Sequence, residues 1–334
     1  MKLLLLSNPD DPHTQKWVKE LAEKDIEIIL FGFNRFEESI YEGYSNITIY
    51  SGGLSRSFIR SRIGALKKLR YLTFLKAVKQ IINKHNPDII HAHYASSYGL
   101  LGALLNKKPF FVSVWGRDVF VFPKISFLHR WIIKFIFKRA TRIFSTSYAM
   151  KDEVLKYTKK DVLVIPFGIR LDRFQPLKRE ENNGILTIGT VKKLYPVYGI
   201  EYLIRAFYRV QSKLKGMKIL LKIVGDGPLR EDLEDLVRDL QISHLVHFEG
   251  EVSPDKVPEK LHQFDIFSAL SIVESFGVAV IEASACGLPV VVSDTGGLPE
   301  VVEDGKTGII VQQRNVDEAA DALLKLIQDI DLRN

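Results

Sequence analysis

Two glutamates eight residues apart, Glu274 and Glu282, bracket a stretch suited to a phosphorylated, hydroxyl-rich molecule. Residues 270–302 read LSIVESFGVAVIEASACGLPVVVSDTGGLPEVV. The pattern predicts a helix from near Phe276 through Ala285, stopped by Gly287, because glycine best tolerates the left-handed turn after a helix. Pro289 cannot continue it, and Val290–Val292 reads as a short buried strand. Along such a helix eight residues advance about 12 Å and leave both carboxylates within roughly a right angle of each other. Between them, the free N–H groups of Phe276, Gly277 and Val278 can hold an anionic phosphate, and Gly277 lets the ligand close to the backbone. The acids repel phosphate, so their natural partners are hydroxyls on either side of it. Sugar, diphosphate and ribose follow that order. Spacing alone also fits a helix with one acid favouring its dipole and one solvated glutamate.

Other stretches carry weaker signals. In GDGPLREDLEDL, Asp226 can cap a helix with Pro228 in its first turn and a stripe of Leu229, Leu233, Leu236 and Leu240. His91 and His93, in DIIHAH, sit at i and i+2 at the end of a strand, but no carboxylate or cysteine cluster accompanies them, so no metal is expected. His13, in the loop SNPDDPHTQKW, is the imidazole best placed to meet an acceptor, or simply an exposed loop residue. The run 124–142, KISFLHRWIIKFIFKRATR, alternates apolar side chains with Arg130, Lys134 and Lys138 one turn apart. It reads either as a core helix with a wet side or as a basic amphipathic helix that lies on an anionic membrane.

The elements that must position these residues follow from the wider pattern. At 334 residues, 46% apolar and 26% charged, the chain suits two soluble globular domains. The single cysteine, Cys286, permits no internal disulfide and fits a reducing compartment. Met1–Leu6 is too short for a signal peptide's apolar region, and the run 131–137, interrupted by Lys134, is too short to span a bilayer. A cytoplasmic location, with contact to the inner face of the membrane, is the expectation. The net charge of +7 divides into +13 over residues 1–172 and −6 over the rest. No acid lies between Glu42 and Asp88, where Arg56, Arg60, Arg62, Lys67, Lys68, Arg70, Lys76, Lys79 and Lys84 all occur. A solvated basic face explains this, as does an anionic partner for the first half.

Short apolar runs alternate with helical patterns throughout, which predicts parallel, doubly wound sheets. Seven runs fall before residue 167 and six after 184: 2–6, 26–31, 47–50, 88–91, 110–114, 143–147 and 162–166, then 186–189, 219–224, 246–249, 266–269, 290–293 and 309–311. Helices are expected at Gln15–Glu23 and Leu69–Asn83 among others. The polar, turn-rich segment 166–181 is the predicted linker between domains 1–170 and 171–334. Open parallel sheets bind ligands beyond the carboxyl ends of their strands, so two Rossmann-like domains facing across a cleft are expected. Neither half carries G-x-G-x-x-G after its first strand, and the P-loop pattern is absent, which argues against a nicotinamide dehydrogenase.

The segment around the two glutamates resembles the E-x7-E region of the retaining glycosyltransferases of family 4, which have the GT-B fold. Glu274, Phe276, Gly277, Glu282, Ala283, Gly287, Pro289, Val290 and Val291 fall where that pattern puts them, as does GG-x-PE at Gly296–Glu300. The resemblance implies that Glu274 holds donor-sugar hydroxyls and Glu282 the ribose; Ser275, Phe276, Gly277 and Val278 complete the expected donor-binding segment between them. Gly225 and Asp226 resemble the family's V-G-D/x-G-P segment, and Glu249–Val252, including Glu251, resembles the loop whose backbone meets the base. In GTVKKLYPVY, Lys192 or Lys193 stands where similar proteins have an arginine, while Tyr198 occupies the place of a second cation. VWGRDV resembles the family's H-G-x-D turn with Trp115 in the histidine place, leaving Asp118 to meet the sugar or order the turn. His93 and His13 fall on the acceptor or sugar side. Similar proteins continue past Leu326–Asn334 with helices that cross back onto the first domain, so a loose arrangement is the expectation here.

The reading is transfer of a sugar, with retention at the anomeric carbon, from a nucleotide-diphosphate sugar to a saccharide, lipid-linked or small hydroxyl acceptor. Cell-surface polysaccharide or glycolipid synthesis is the expected setting. The nucleotide sugar is a co-substrate, and no metal or other cofactor is expected. A nucleotide-sugar epimerase of the same fold, or a sugar-nucleotide-binding protein with little turnover, stays open. Nucleic acid is not an expected partner, because the basic residues form no recognisable module.

Overall fold

Runs of three to eight residues, too short for most helices and mostly rich in Leu, Ile, Val and Phe, form the strands. The structure, a computed structural model, describes residues 1–59, 66–177, 184–214 and 216–333. In chain order the strands are β1 (Lys2–Leu6), β2 (Glu27–Asn34), β3 (Ile47–Leu54), β4 (Ile89–His93), β5 (Phe110–Ser113), β6 (Arg142–Ser145) and β7 (Val162–Val164). The second half adds β8 (Ile185–Val191), β9 (Lys218–Val224), β10 (Val246–Gly250), β11 (Ile266–Ala269), β12 (Val290–Ser293) and β13 (Gly308–Val311). Every predicted run became a strand, with ends shifted by a few residues.

The chain divides into Met1–Pro166 and Phe167–Asn334. The first half holds a parallel sheet ordered β3-β2-β1-β4-β5-β6-β7, the second a parallel sheet ordered β10-β9-β8-β11-β12-β13. Consecutive buried residues are the mark of a parallel sheet covered on both faces. Leu4, Leu6, Ile29 and Phe31 join one core of the first sheet, while Leu5, Ile28 and Leu30 meet Val18 and Ala22 on the other face. In the second sheet Ile188, Leu221, Ile223 and Val291 face one core, and Val224, Phe267, Val290 and Val292 the other. Each sheet reverses its strand order once, between β1 and β4 and between β8 and β11. A crevice beyond the carboxyl ends of the strands opens at such a reversal. Both groups of candidate residues lie there.

Several local expectations change. His13 is not in a loop: Asp11 caps a helix that runs Pro12–Ala22, accepting from the His13 and Thr14 N–H groups at 2.9 and 3.3 Å. The expected helix 69–83 splits into a tight 3₁₀ stretch, Leu66–Phe74, and an α-helix, Leu75–His85. Tyr71 stacks on Phe33 with ring centroids 4.1 Å apart, a contact the helical pattern did not foresee. Much of the predicted linker packs on the second half, where Phe174 is buried and the Arg173 guanidinium donates to the Pro254 carbonyl at 3.2 Å. Residues 178–181 of that linker, and Arg60 and Arg62 of the basic run, lie outside the described residues.

Candidate functional site

In the second half, β8 and β11 deliver Lys192 and the loop after Leu270 to the same strand-order reversal. The Lys192 ammonium donates to Glu274 Oε2 at 2.5 Å, and both side chains are largely buried. A buried ion pair is tolerated when each charge compensates the other and further hydrogen bonds satisfy what remains. Here the Ser271 hydroxyl donates to Glu274 Oε2 at 3.4 Å and the Ser275 N–H to Oε1 at 3.3 Å. The Lys192 ammonium also lies 5.1 Å from the centroid of the Tyr198 ring, within cation–π range. Burial opposes the charge of Lys192. Glu274 more than offsets it, with smaller help from Tyr198 and Glu282, so the ammonium holds its proton more firmly than an ordinary lysine. Lys193, the alternative cation, is exposed.

The helix of the E-x7-E segment starts later than expected. It spans Val278–Ala285, because Gly277 sits at φ +109°, outside the helical region. The N–H groups of Val280 and Ile281 donate to the Gly277 carbonyl, which leaves those of Gly277, Val278 and Ala279 ahead of the first intrahelical bond. Glu274 therefore precedes the helix and the 12 Å helical rise does not apply to the pair, while Glu282 is half-buried inside it. Phe276 contributes its ring to the core, edge-on to Phe167 at 6.3 Å. Gly287, at φ +74°, ends the helix as predicted.

The second glycine turn packs directly against the Glu274 backbone. The Gly297 N–H donates to the Glu274 carbonyl at 3.3 Å, and a Cβ on Gly296 would sit 1.7 Å from that oxygen. The Ser293 hydroxyl donates to the Ser271 carbonyl at 2.5 Å, tying β12 to the same loop. Sequence reasoning missed Ser271 and Ser293, whose small hydroxyls signal nothing without their neighbours. Buried Thr190 near the end of β8 was missed as well; its hydroxyl has no hydrogen-bond partner among the described residues.

Asp226 does not cap the next helix. That helix is Arg230–Asp239, and Asp226 Oδ1 accepts from the Gly227 N–H at 2.7 Å, while its carbonyl accepts from Leu194. A local turn satisfied the side chain before the helix began. The Gly225 N–H donates to the Gly250 carbonyl at 2.7 Å, which places the start of the 250–253 loop beside it. Glu251 is exposed there, and Val252 packs partly on the core. A separate depression of about 840 Å³ lies along β9 and β10, lined by Lys222, Arg230, His247, Phe248 and Glu249; of the predicted base-contacting loop only Glu249 reaches it.

The first half gathers rings instead of charges. At the β1–β4 reversal, His93 ends β4 with its Nδ1 3.2 Å from the Ser7 hydroxyl, which in turn meets Thr14 Oγ1 at 2.6 Å. His93 Nε2 is buried without a hydrogen-bond partner among the described residues. Trp115 lies over His93 at 4.4 Å, His13 meets Trp115 at 6.0 Å, and Trp17 meets both His91 and His93. Burial pushes His91 down to about 3 and His93 well below the ordinary histidine value, with the neighbouring imidazoles adding to the effect at His93. Burial also lowers His13, against the pull of Asp11. Asp118 is wholly buried and accepts from the N–H groups of Ala95, Trp115 and Gly116 at 2.8, 3.2 and 2.9 Å. It orders the turn, and burial raises its carboxyl to about 6 despite those bonds. Among the described residues no group of three His, Cys, Asp or Glu could hold a metal ion.

Residues 169–334 match the family model for glycosyl transferases group 1, and residues 2–147 match that for glycosyl transferase 4-like proteins. The chain belongs to these glycosyltransferases. This glycosyltransferase is 29% identical over 329 residues to an uncharacterized glycosyltransferase of Methanocaldococcus jannaschii, a match covering 96% of the chain and 85% of the relative. It is 34% identical over 182 residues to the GDP-mannose-dependent alpha-(1-6)-phosphatidylinositol monomannoside mannosyltransferase of Mycobacterium tuberculosis. That second match spans 50% of this chain and 47% of the relative, about half of each. Among solved structures, sucrose-phosphate synthase from Thermosynechococcus elongatus has a TM-score of 0.83 at 20% identity, covering 100% of this chain and 91% of that one. The two Rossmann-like sheets are those of the GT-B fold.

Proposed function

We propose that this glycosyltransferase takes a sugar from a nucleotide-diphosphate donor and attaches it to a hydroxyl acceptor with retention at the anomeric carbon. Synthesis of a cell-surface polysaccharide or glycolipid is the proposed setting. The observation that carries the reading is the Lys192–Glu274 pair beside the N-terminus of Val278–Ala285, with Glu282 further along that helix. The bond between the anomeric carbon and the diphosphate oxygen breaks as the acceptor oxygen attacks from the same face. The acceptor's proton passes to the departing diphosphate. Negative charge grows on that diphosphate, and fixed donors placed in advance stabilise it without reorganisation. The N–H groups of Gly277, Val278 and Ala279 and the Lys192 ammonium are assigned that role, with Ser275 beside them. Glu274 takes hydroxyls of the sugar and Glu282 those of the ribose. Gly225, Asp226, Glu251 and Val252 are assigned to the nucleoside. His13 and Trp115 are assigned to the acceptor, with His93 and Asp118 shaping that surface from below. The relative named GDP-mannose-dependent supports a nucleotide-sugar donor.

A thermal-shift screen of UDP-, GDP- and ADP-sugars tests the reading, since a ligand bound only by the folded state raises its midpoint. One donor class is expected to stabilise the native protein, and Glu282→Ala and Glu274→Gln to weaken the shift. NMR of the product should then show the donor's anomeric configuration. An inverted product, or no shift with any donor, sinks the proposal. Nucleotide release or an epimerised sugar without acceptor would establish the epimerase reading instead, and a donor shift without turnover the binding-protein reading.

A further inference from the structure

The helix Phe127–Arg139 is fully satisfied on its inner face, where Ile133, Ile136 and Phe137 are buried in the first core. Its outer face is nevertheless apolar. Phe127 is 84% exposed, Leu128 58%, Trp131 55% and Ile125, just before the helix, 41%. Phe127, Trp131 and Phe135 recur every four residues, so they share one side, and the Trp131 and Phe135 rings stack at 5.7 Å and 11°. Nothing about the fold requires these rings outside, because the helix has its own buried stripe. Singly exposed apolar residues are ordinary, but a contiguous group is the mark of an interaction surface.

The charges on this helix are of one sign. Arg130, Lys134, Lys138 and Arg139 are exposed on the helix, which contains no acid. Glu153, which meets the Lys124 side chain at 3.0 Å, is buried and also held by Lys156 and Tyr157. The Arg139 guanidinium lies 5.5 Å from the Phe135 ring, so cation and aromatic already form one surface. A second copy on this face would set Arg130, Lys134 and Lys138 against themselves. Exposed Leu128 and Ile125 suit acyl chains better than stacked bases. The helix, 13 residues long, is too short to cross a bilayer, and among the described residues no helix is long and apolar enough to do so. Aromatic and aliphatic side chains between lysines and arginines are what a helix lying in the headgroup region presents.

We propose that the outer face of Phe127–Arg139 docks this glycosyltransferase flat on a membrane surface containing anionic phospholipid. Phe127, Leu128 and Trp131 enter the acyl boundary while Lys134 and Lys138 meet the headgroups. The inference stands on these residues and does not depend on the donor or on the acceptor.

Co-sedimentation of the full chain with vesicles of phosphatidylcholine, with and without phosphatidylglycerol, tests it. Binding is expected only to the mixed vesicles and should fall with salt. Phe127→Ser with Trp131→Ser should weaken it by on the order of tenfold or more. Lys134→Gln and Lys138→Gln should each weaken it roughly fivefold. Circular dichroism should be unchanged in all of them, since the inner face is untouched. Tryptophan emission should shift to the blue on binding, and Trp131→Phe should abolish that shift although Trp17 and Trp115 remain. No sedimentation with mixed vesicles overturns the proposal, as does equal binding by the aromatic variant. A concentration-dependent dimer, or retention of a single-stranded oligonucleotide, that the aromatic variant loses while native protein ignores vesicles would assign the face to those partners and overturn it equally.

Discussion

The two strand-order reversals of this molecule reach a neutral interior by opposite routes. Beyond β8 and β11 a buried lysine and a buried glutamate cancel each other at 2.5 Å. Beyond β1 and β4 three imidazoles lie among two tryptophans, and burial itself holds them uncharged. Pairing fails when one partner is removed, whereas desolvation fails when a proton is forced in. The first arrangement keeps full charges ready for a charged ligand. The second offers ring faces and edges to an uncharged one.

Removing one partner should break the first site most. Glu274→Ala is expected to lower turnover on the order of 10²–10³-fold, and to lose about 3 kcal/mol of stability by stranding Lys192. Adding Lys192→Met should recover much of the stability in urea melts and none of the turnover. Full activity in Glu274→Ala would end the assignment of that carboxylate. In the first half, Asp118→Ala should cost about 3 kcal/mol, because three backbone N–H groups lose a charged acceptor. Denaturant unfolding measures it, and a loss under about 0.5 kcal/mol would show that the turn holds itself.

A pH series sharpens the contrast. His91 is held near 3 in the folded state, below its unfolded value, so its contribution is complete above about 6.5 and is lost as pH falls towards 3. Asp118 runs the other way: its raised carboxyl favours the fold at low pH, and that benefit is lost as pH rises through about 6. Comparing the native protein with His91→Gln cancels Asp118. The stability difference between them should narrow by about 2 kcal/mol from pH 6.5 to 5, and a constant difference would contradict a buried neutral ring. The smallest effect is expected from Tyr198→Leu, which removes the ring beneath the Lys192 ammonium. About 1 kcal/mol of cation–π attraction should appear as a several-fold rise in donor Kd by titration calorimetry, with the fold unchanged.

The strands and the helix stop at Gly287 were legible because each depends on a run of neighbouring residues. The Glu274 loop was legible as a motif but not as geometry. Gly277 was read as a place for a ligand to approach, while its positive φ also delays the helix start from near Phe276 to Val278, further from Glu274. Asp226 was read as a cap, but a turn one residue long claimed its carboxylate first. The ring cluster was invisible as a unit. His13, Trp17, His91, His93 and Trp115 come from three separate stretches, and only the β1–β4 and β4–β5 pairings bring them together. Likewise, alternation in 124–142 marked an amphipathic helix, yet it could not say that Ile133 and Ile136 would fill the core and leave Phe127 and Trp131 outside.

The sheet order has a consequence for synthesis. In each half the first strand made, β1 or β8, lies inside the sheet and needs a partner that emerges from the ribosome much later. β1 waits for β4, more than eighty residues on, before both its edges are hydrogen-bonded. Such long loops close slowly, and until they do an apolar strand edge is bare. Yet every strand of the first sheet ends before Pro166, so that half can close its sheet while the strands after β8 are still being translated. The division of the chain is thus also a division in time, and the exposed interval of each half is shortened by not having to wait for the other.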